Sequence, residues 1–135
     1  MLYFAGCMSH LTPGITKAME RIFESAGVEY DFMDRDGSVC CGRPLTLAGR
    51  KDREARGLSR AQYRAYMEVR CHHTGYFLPI CYRIFTESYH LDIGVMHHSQ
   101  YINWLIEQKE LNLNFLNRSV VYHDPCELGR GCRDL

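Results

Sequence analysis

The stretch "LYFAGCMSHLTPGITKAMERIFESAGVEYDFM", residues 2–33, decides the predicted fold. It opens with a short apolar run that ends just before Cys7, which is typical of a buried strand. Apolar residues then recur at helical spacing between Pro13, which suits a first helical turn, and Gly27, which suits a position past the last turn. Residues 28–33 alternate like a second strand. A strand, a crossover helix and another strand predict a parallel sheet.

The rest of the chain continues this alternation. Pro44 starts a predicted helix over 44–58, and Ser99 is the predicted N-cap of a later one. Further strands are predicted at 76–80, 91–98 and 119–126, and further helices at 81–90 and 99–111. The pattern predicts the α/β class, with a layered, mostly parallel sheet flanked by helices.

Charge and hydropathy exclude several classes of function. The 16 basic and 16 acidic residues balance, so we expect no nucleic-acid partner. No apolar run approaches the roughly 18 residues that a membrane-spanning helix needs, so we expect no membrane insertion. The first residues lack the basic and apolar regions of a secretory leader. We therefore expect a cytoplasmic protein. In that reducing compartment, seven cysteines indicate metal binding or redox chemistry rather than disulfides.

The doublet Cys40-Cys41, followed by Gly42, is the most unusual local feature. Neighbouring cysteines do not easily reach disulfide geometry, and they would point to different sides of a helix or strand. Two sulfurs in a sharp turn suit a compact bound object. Gly42 permits a positive φ and a close approach of the backbone.

Three other cysteines follow predicted strands and precede predicted helices, namely Cys7, Cys81 and Cys126. In open α/β sheets, binding sites lie at this edge, outside the carboxyl ends of the strands. Helix N-termini at that edge favour negative charge, which thiolates carry.

The order of these motifs resembles the cysteine-rich CCG domain. The matching stretches are "YFAGCMSHLTPG", "VCCGRPLTLAGR", "PICYRIFTESY", "VMHHSQYI" and "YHDPCELGRG". This domain occurs in heterodisulfide reductases, in iron–sulfur subunits of glycolate oxidase and anaerobic glycerol-3-phosphate dehydrogenase, and in lactate-utilisation proteins. The resemblance implies a Rossmann-like arrangement of the predicted sheet and helices.

The resemblance also implies a cofactor and a function. Cys7, Cys40, Cys41 and Cys81 would be ligands of an iron–sulfur cluster, with Gly42 beside it. In the heterodisulfide reductases this is a noncubane [4Fe–4S] centre. The chain would then be an electron-transfer or disulfide-reducing module of a cytoplasmic oxidoreductase complex. Its implied partners are flavoprotein or ferredoxin-like subunits.

The sequence departs from the family pattern at one ligand. The pattern ends in Cys-x-x-Cys, but Leu78 stands where the first of these cysteines is expected, and Cys71 is out of register. Four cysteines remain, which is enough for a four-ligand cluster or for a tetrahedral zinc site. A structural zinc module, or a non-functional fragment with empty thiols, therefore stays open beside the iron–sulfur interpretation.

The final residues resemble the opening of a second copy of the domain, since family members usually carry two in tandem. We therefore assign residues 1–118 to a first CCG domain and 119–135 to the start of a truncated second one. Cys126 would be a ligand only in a full-length parent protein.

Overall fold

The computed structural model describes residues 1–37, 39–49, 73–76, 79–87 and 94–132. Four strands are present: β1 (Leu2–Phe4), β2 (Asp31–Phe32), β3 (His73–Tyr76) and β4 (Gly94–His97). The helices are α1 (Pro13–Ser25), α2 (Arg43–Leu47), α3 (Pro79–Glu87) and α4 (His98–Glu107). A 3₁₀ turn (Ser9–Leu11) precedes α1, and a wide helical turn, called here the carboxyl-terminal turn, spans Cys126–Cys132.

The strands form one sheet in the order β2-β1-β3-β4, and all three pairings are parallel. Leu2 of β1 lies opposite Asp31 on one side and Thr74 on the other. The prediction of an α/β protein with a parallel sheet is therefore confirmed. Because all the strands run the same way, their carboxyl ends meet at one edge of the sheet.

The central strand β1 is buried completely, which explains its uninterrupted apolar sequence. Its successive side chains enter two different apolar clusters. Leu2 and Phe4 pack with side chains of α3, whereas Tyr3 and Ala5 pack with α1 and α4. Phe4 meets Phe85 edge-on, with 5.6 Å between the ring centroids. The amino-terminal strand therefore anchors both clusters.

Helix α1 follows the sequence prediction closely. Thr12 is its N-cap, Pro13 is its first residue, and Gly27 follows its end with φ 64°. Met19 and Phe23 are buried against β1, as the helical spacing indicates. The predicted apolar face is too wide, because Ile15 is half exposed.

Several predicted boundaries are wrong. The strand predicted at 76–80 ends at Tyr76, and Pro79 starts α3, because proline lacks the N–H that a strand needs but fits a first helical turn. The helix predicted over 44–58 ends at Leu47; Gly49, at φ 81°, closes it. The strand predicted at 28–33 is shorter, as β2, and the strand predicted at 91–98 ends one residue early, because His98 begins α4. Residues 50–72, 77–78, 88–93 and 133–135 lie outside the described part, so predictions there, including those for Cys71 and Leu78, stay untested.

The predicted N-cap of the last helix is also wrong. His97 occupies that position: its ring accepts a hydrogen bond from the Ser99 N–H, and Gln100 Oε1 accepts one from the His97 N–H at 2.8 Å. This reciprocal arrangement is a capping box. The imidazole of His97 therefore serves as the N-cap of α4.

No strand forms at 119–126, contrary to the prediction. Residues 112–124 have no regular structure and are exposed, including Phe115 at 93 % and Val121 at 98 %. Within the described ranges, no neighbouring strand pairs with this segment, so its β-forming residues have nothing to pair with. None of the helices in those same ranges has the length and apolar character needed to cross a bilayer.

Candidate metal centre

The four predicted ligand cysteines follow three adjacent strands of the sheet. Cys7 follows β1, the doublet Cys40-Cys41 follows β2, and Cys81 lies in the first turn of α3 after β3. Since these strands are parallel neighbours, the folding of the sheet brings four residues that are distant in sequence to one edge.

The thiols interact in two pairs. Cys7 hydrogen-bonds with Cys40, and Cys81 hydrogen-bonds with Cys41. The two pairs are joined, because Cys40 also hydrogen-bonds with Cys41, and charge on Cys7 or Cys40 acts on Cys81. The five cysteines whose side chains the structure describes are free thiols, and the fifth, Cys126, is exposed. The structure thus assembles the four cysteines that the sequence singles out.

The two pairs differ in solvent exposure. Cys41 and Cys81 are 2 % and 1 % exposed and belong to the apolar cluster around Phe4. Cys40 is exposed and Cys7 is half-buried. We call Cys7 and Cys40 the outer pair, and Cys41 and Cys81 the inner pair.

Backbone geometry at the doublet fits a sulfur-binding turn. Gly42 has φ 78°, a left-handed conformation that favours glycine, so the predicted positive φ at this residue is confirmed. The Gly42 N–H donates to Cys40 Sγ at 3.5 Å, and the Arg43 N–H donates to the Cys41 sulfur. Each cysteine of the doublet therefore receives a hydrogen bond from the turn that follows it. Such bonds favour the thiolate form, which binds metals.

The pKa values of the inner pair are shifted in opposite directions. The hydrogen bond from Cys81 lowers the pKa of Cys41 to about 7, against the effect of burial. The same hydrogen bond, followed by burial, raises the pKa of Cys81. Above about pH 7 the pair therefore keeps one proton, because a second negative charge would lie beside the first in an apolar environment. In the outer pair, burial and then the charge of Cys40 raise the pKa of Cys7.

Asp34 fixes the backbone that precedes Cys7, and the sequence analysis missed it. This carboxylate is fully buried, and its two oxygens accept the N–H groups of Ala5 and Gly6 at 2.8 and 2.7 Å. His10 Nε2 lies 3.4 Å from it. Burial raises the pKa of Asp34, although both amides and His10 act to lower it. The position of Asp34, directly after the strand predicted at 28–33, is the sequence signal that could have indicated this role.

The donor set fits a sulfur-ligated metal group. Four thiols at one edge are the ligand type that iron–sulfur clusters and structural zinc use. In the described ranges, however, no three His, Cys, Asp or Glu side chains lie closely enough to chelate a single ion. The arrangement is that of two contacting thiol pairs around a glycine turn.

An α/β protein with cysteines collected at the carboxyl edge of a parallel sheet is the class defined by this fold and site. The model of the cysteine-rich CCG domain family matches residues 1–75. The chain therefore belongs to the CCG cysteine-rich domain family, and the resemblance drawn from the sequence is confirmed.

Curated relatives match across almost the whole chain. One of the subunits of fumarate reductase (CoM/CoB) from Methanothermobacter marburgensis is 30 % identical over 96 % of this chain and 26 % of its own length. One of the subunits of dihydromethanophenazine:CoB–CoM heterodisulfide reductase from Methanosarcina mazei is 26 % identical over 96 % of this chain and 34 % of its own length. Its counterpart in Methanosarcina barkeri is 25 % identical, with equal coverage. The chain thus spans about a quarter to a third of these relatives. No solved structure matches it.

Proposed function

We propose that Cys7, Cys40, Cys41 and Cys81 bind an iron–sulfur cluster, and that the chain is an electron-transfer or disulfide-reducing module of an oxidoreductase complex. The observation that carries this proposal is the meeting of four thiols from three parallel strand ends at one edge. Membership of the CCG family supports it, as does similarity to proteins named as subunits of heterodisulfide and fumarate reductases.

The protein's own residues would hold and tune the group. When bound, an iron–sulfur cluster supplies a centre that accepts and donates single electrons. The inner thiols lie in an apolar environment, and N–H groups of Gly42 and Arg43 point at the sulfurs of the doublet. Both factors set the potential of a sulfur-ligated centre. A [4Fe–4S] centre, noncubane as in the heterodisulfide reductases, is the form we propose.

The surroundings of the module are part of the same proposal. Residues 1–118 would form a layered, Rossmann-like CCG domain, and 119–135 would start a second one, in which the exposed residues around Val121 become a strand. Flavoprotein or ferredoxin-like subunits would be its redox partners, in the cytoplasm, where thiols stay reduced.

Anaerobic reconstitution tests the proposal. The chain is incubated with ferrous iron and sulfide, and in parallel with zinc, and bound metal and acid-labile sulfide are counted per chain. We expect iron and sulfide in equal amounts, with broad absorbance near 400 nm, in the range where such centres absorb. One tightly bound zinc with no stable iron would instead establish the structural zinc module, and no bound metal would establish a fragment with empty thiols.

The chain offers a matched pair of variants for this test. Cys40→Ser removes an exposed thiol within the four, and Cys126→Ser removes an exposed thiol outside them. We expect Cys40→Ser to lose most of its iron and Cys126→Ser to keep it. Equal iron contents in the two variants would contradict the ligand assignment.

A further inference from the structure

Two arginines that follow the cysteine motifs converge on one carboxylate. Arg83 Nη1 donates to Glu127 Oε2 at 2.9 Å, and Arg43 Nη2 lies 3.8 Å from the same oxygen. Arg43 is the first residue of α2, Arg83 lies in α3, and Glu127 belongs to the carboxyl-terminal turn. Two guanidinium groups held by different elements around one oxygen form the arrangement that proteins use to bind carboxylates.

Arg43 is incompletely satisfied by this contact. Its side chain is only 12 % exposed, and its Nε atom is buried with no hydrogen-bond partner among the residues that the structure describes. The 3.8 Å separation from Glu127 is too long for a hydrogen bond. A buried charge is costly unless it is closely paired and hydrogen-bonded. Arg43 therefore retains hydrogen-bonding capacity that Glu127 does not satisfy.

The turn that carries Glu127 also covers the inner thiol pair. Leu128 is 2 % exposed and packs in the cluster that contains Cys41 and Cys81. A Cβ atom added to Gly131 would lie 2.7 Å from Arg83 Nη1, so the backbone of the turn passes directly against that arginine. Leu128 and Glu127 thus both contribute to the docking of this short segment.

We propose that Arg43 and Arg83 form a carboxylate-binding site beside the inner thiol pair, and that Glu127 occupies it as an exchangeable internal ligand. A tethered carboxylate competes with millimolar effective concentration, so a free carboxylate binds weakly until Glu127 is removed or the turn detaches. A carboxylate bound there displaces the turn from the inner pair. The site does not require that the thiols hold a metal.

Thermal unfolding of the metal-free, reduced chain tests this with malonate as the probe. The variant Glu127→Gln keeps the shape of the side chain and removes its charge. We expect malonate to raise the melting temperature of this variant saturably, with half-saturation at a concentration at least roughly tenfold lower than in the wild type. Sodium chloride at the same ionic strength should not reproduce the effect.

Glu87→Gln is the matched control. Glu87 also pairs with Arg83, at 3.0 Å, but it lies one helical turn away on α3, and its contact is to Nε rather than Nη1. We expect the malonate response of Glu87→Gln to equal that of the wild type. Adding Arg83→Met to Glu127→Gln should abolish the response. An equal malonate effect in Glu127→Gln and Glu87→Gln would overturn the proposal.

A measurement on the unaltered chain covers the case in which a variant fails to fold. In nuclear magnetic resonance spectra, malonate should shift the Nε–H signals of the two arginines together with the amide of Leu128, with one common saturation curve. Chloride should leave them in place. Shifts confined to other residues would exclude a carboxylate site at these arginines.

Discussion

The outer and inner thiol pairs lie at the same sheet edge but are positioned by different forces. Cys7 of the outer pair follows two amides that are fixed by the buried carboxylate of Asp34. Cys41 and Cys81 are held by apolar packing in the cluster around Phe4. Hydrogen bonds fix direction and leave a group accessible, whereas packing excludes water. The site therefore combines one half that a reactant in solution can reach with one half that it cannot.

Removal of the Asp34 carboxylate, which fixes the backbone before Cys7, should cause the largest loss of unfolding free energy. In Asp34→Ala two buried N–H groups lose their acceptors, which costs about 2–6 kcal/mol of unfolding free energy at about 1–3 kcal/mol each. Urea unfolding of the metal-free chain measures the loss. Asp34→Asn retains one acceptor oxygen and should lose less. The exposed residue Asp31, changed to Ala, is the surface control, and a cost as large as that of Asp34→Ala would contradict the assigned support.

The second largest effect should be a difference in alkylation rate between the thiols of the outer pair and those of the inner pair. In the metal-free native chain, we expect Cys81 to react with iodoacetamide roughly 100-fold more slowly than Cys40, because a buried thiol reacts only after local opening. Peptide mass spectrometry at successive times measures each rate, with exposed Cys126 as the reference. Similar rates for Cys40 and Cys81 would mean that the inner pair is not protected.

Serine substitutions should show a smaller difference in stability. Cys81→Ser places a hydroxyl group in an apolar cluster and should cost about 1–3 kcal/mol, whereas Cys40→Ser, at an exposed position, should cost less than about 0.5 kcal/mol. Thermal unfolding of the metal-free variants measures both. A larger loss of stability in Cys40→Ser than in Cys81→Ser would contradict the claim that apolar packing holds the inner pair.

The smallest predicted effect is a change in pH dependence. The pKa of Cys41 is lowered to about 7 from its ordinary 9.0, so its contribution to stability is present above pH 9 and is lost as the pH falls through about 7. Cys81→Ala removes the hydrogen-bond donor and should raise the pKa of Cys41. Thiolate absorbance at 240 nm, the band usually followed for this group, measures the titration in the metal-free chain. Cys41→Ser must abolish the transition for the assignment to stand.

Local patterns were sufficient to predict the framework of the site. The apolar run of β1, the capped helix α1 and the glycine turn after the doublet are all encoded within a few consecutive residues. Parallel pairing then dictates that cysteines after neighbouring strands share an edge. The positive φ of Gly42 followed from the same local reasoning, since only the turn itself is involved.

The features that the sequence did not predict depend on contacts between distant segments. Asp34 acts on amides 28 and 29 residues earlier, and Glu127 reaches Arg83 across 44 residues. Neither spacing has a periodic signature. The wrong strand at 119–126 has a related cause, because the β-forming residues around Val121 form a strand only where a partner strand pairs with them.

The parallel arrangement of β1, β2 and β3 also sets an order of events during biosynthesis. The four cysteines are brought to one edge only after β1 has paired with both β2 and β3, and β3 lies about seventy residues further along the chain. Such non-local pairings form late and slowly. A metal group that engaged all four thiols at once would therefore require β1, β2 and β3 to be paired first.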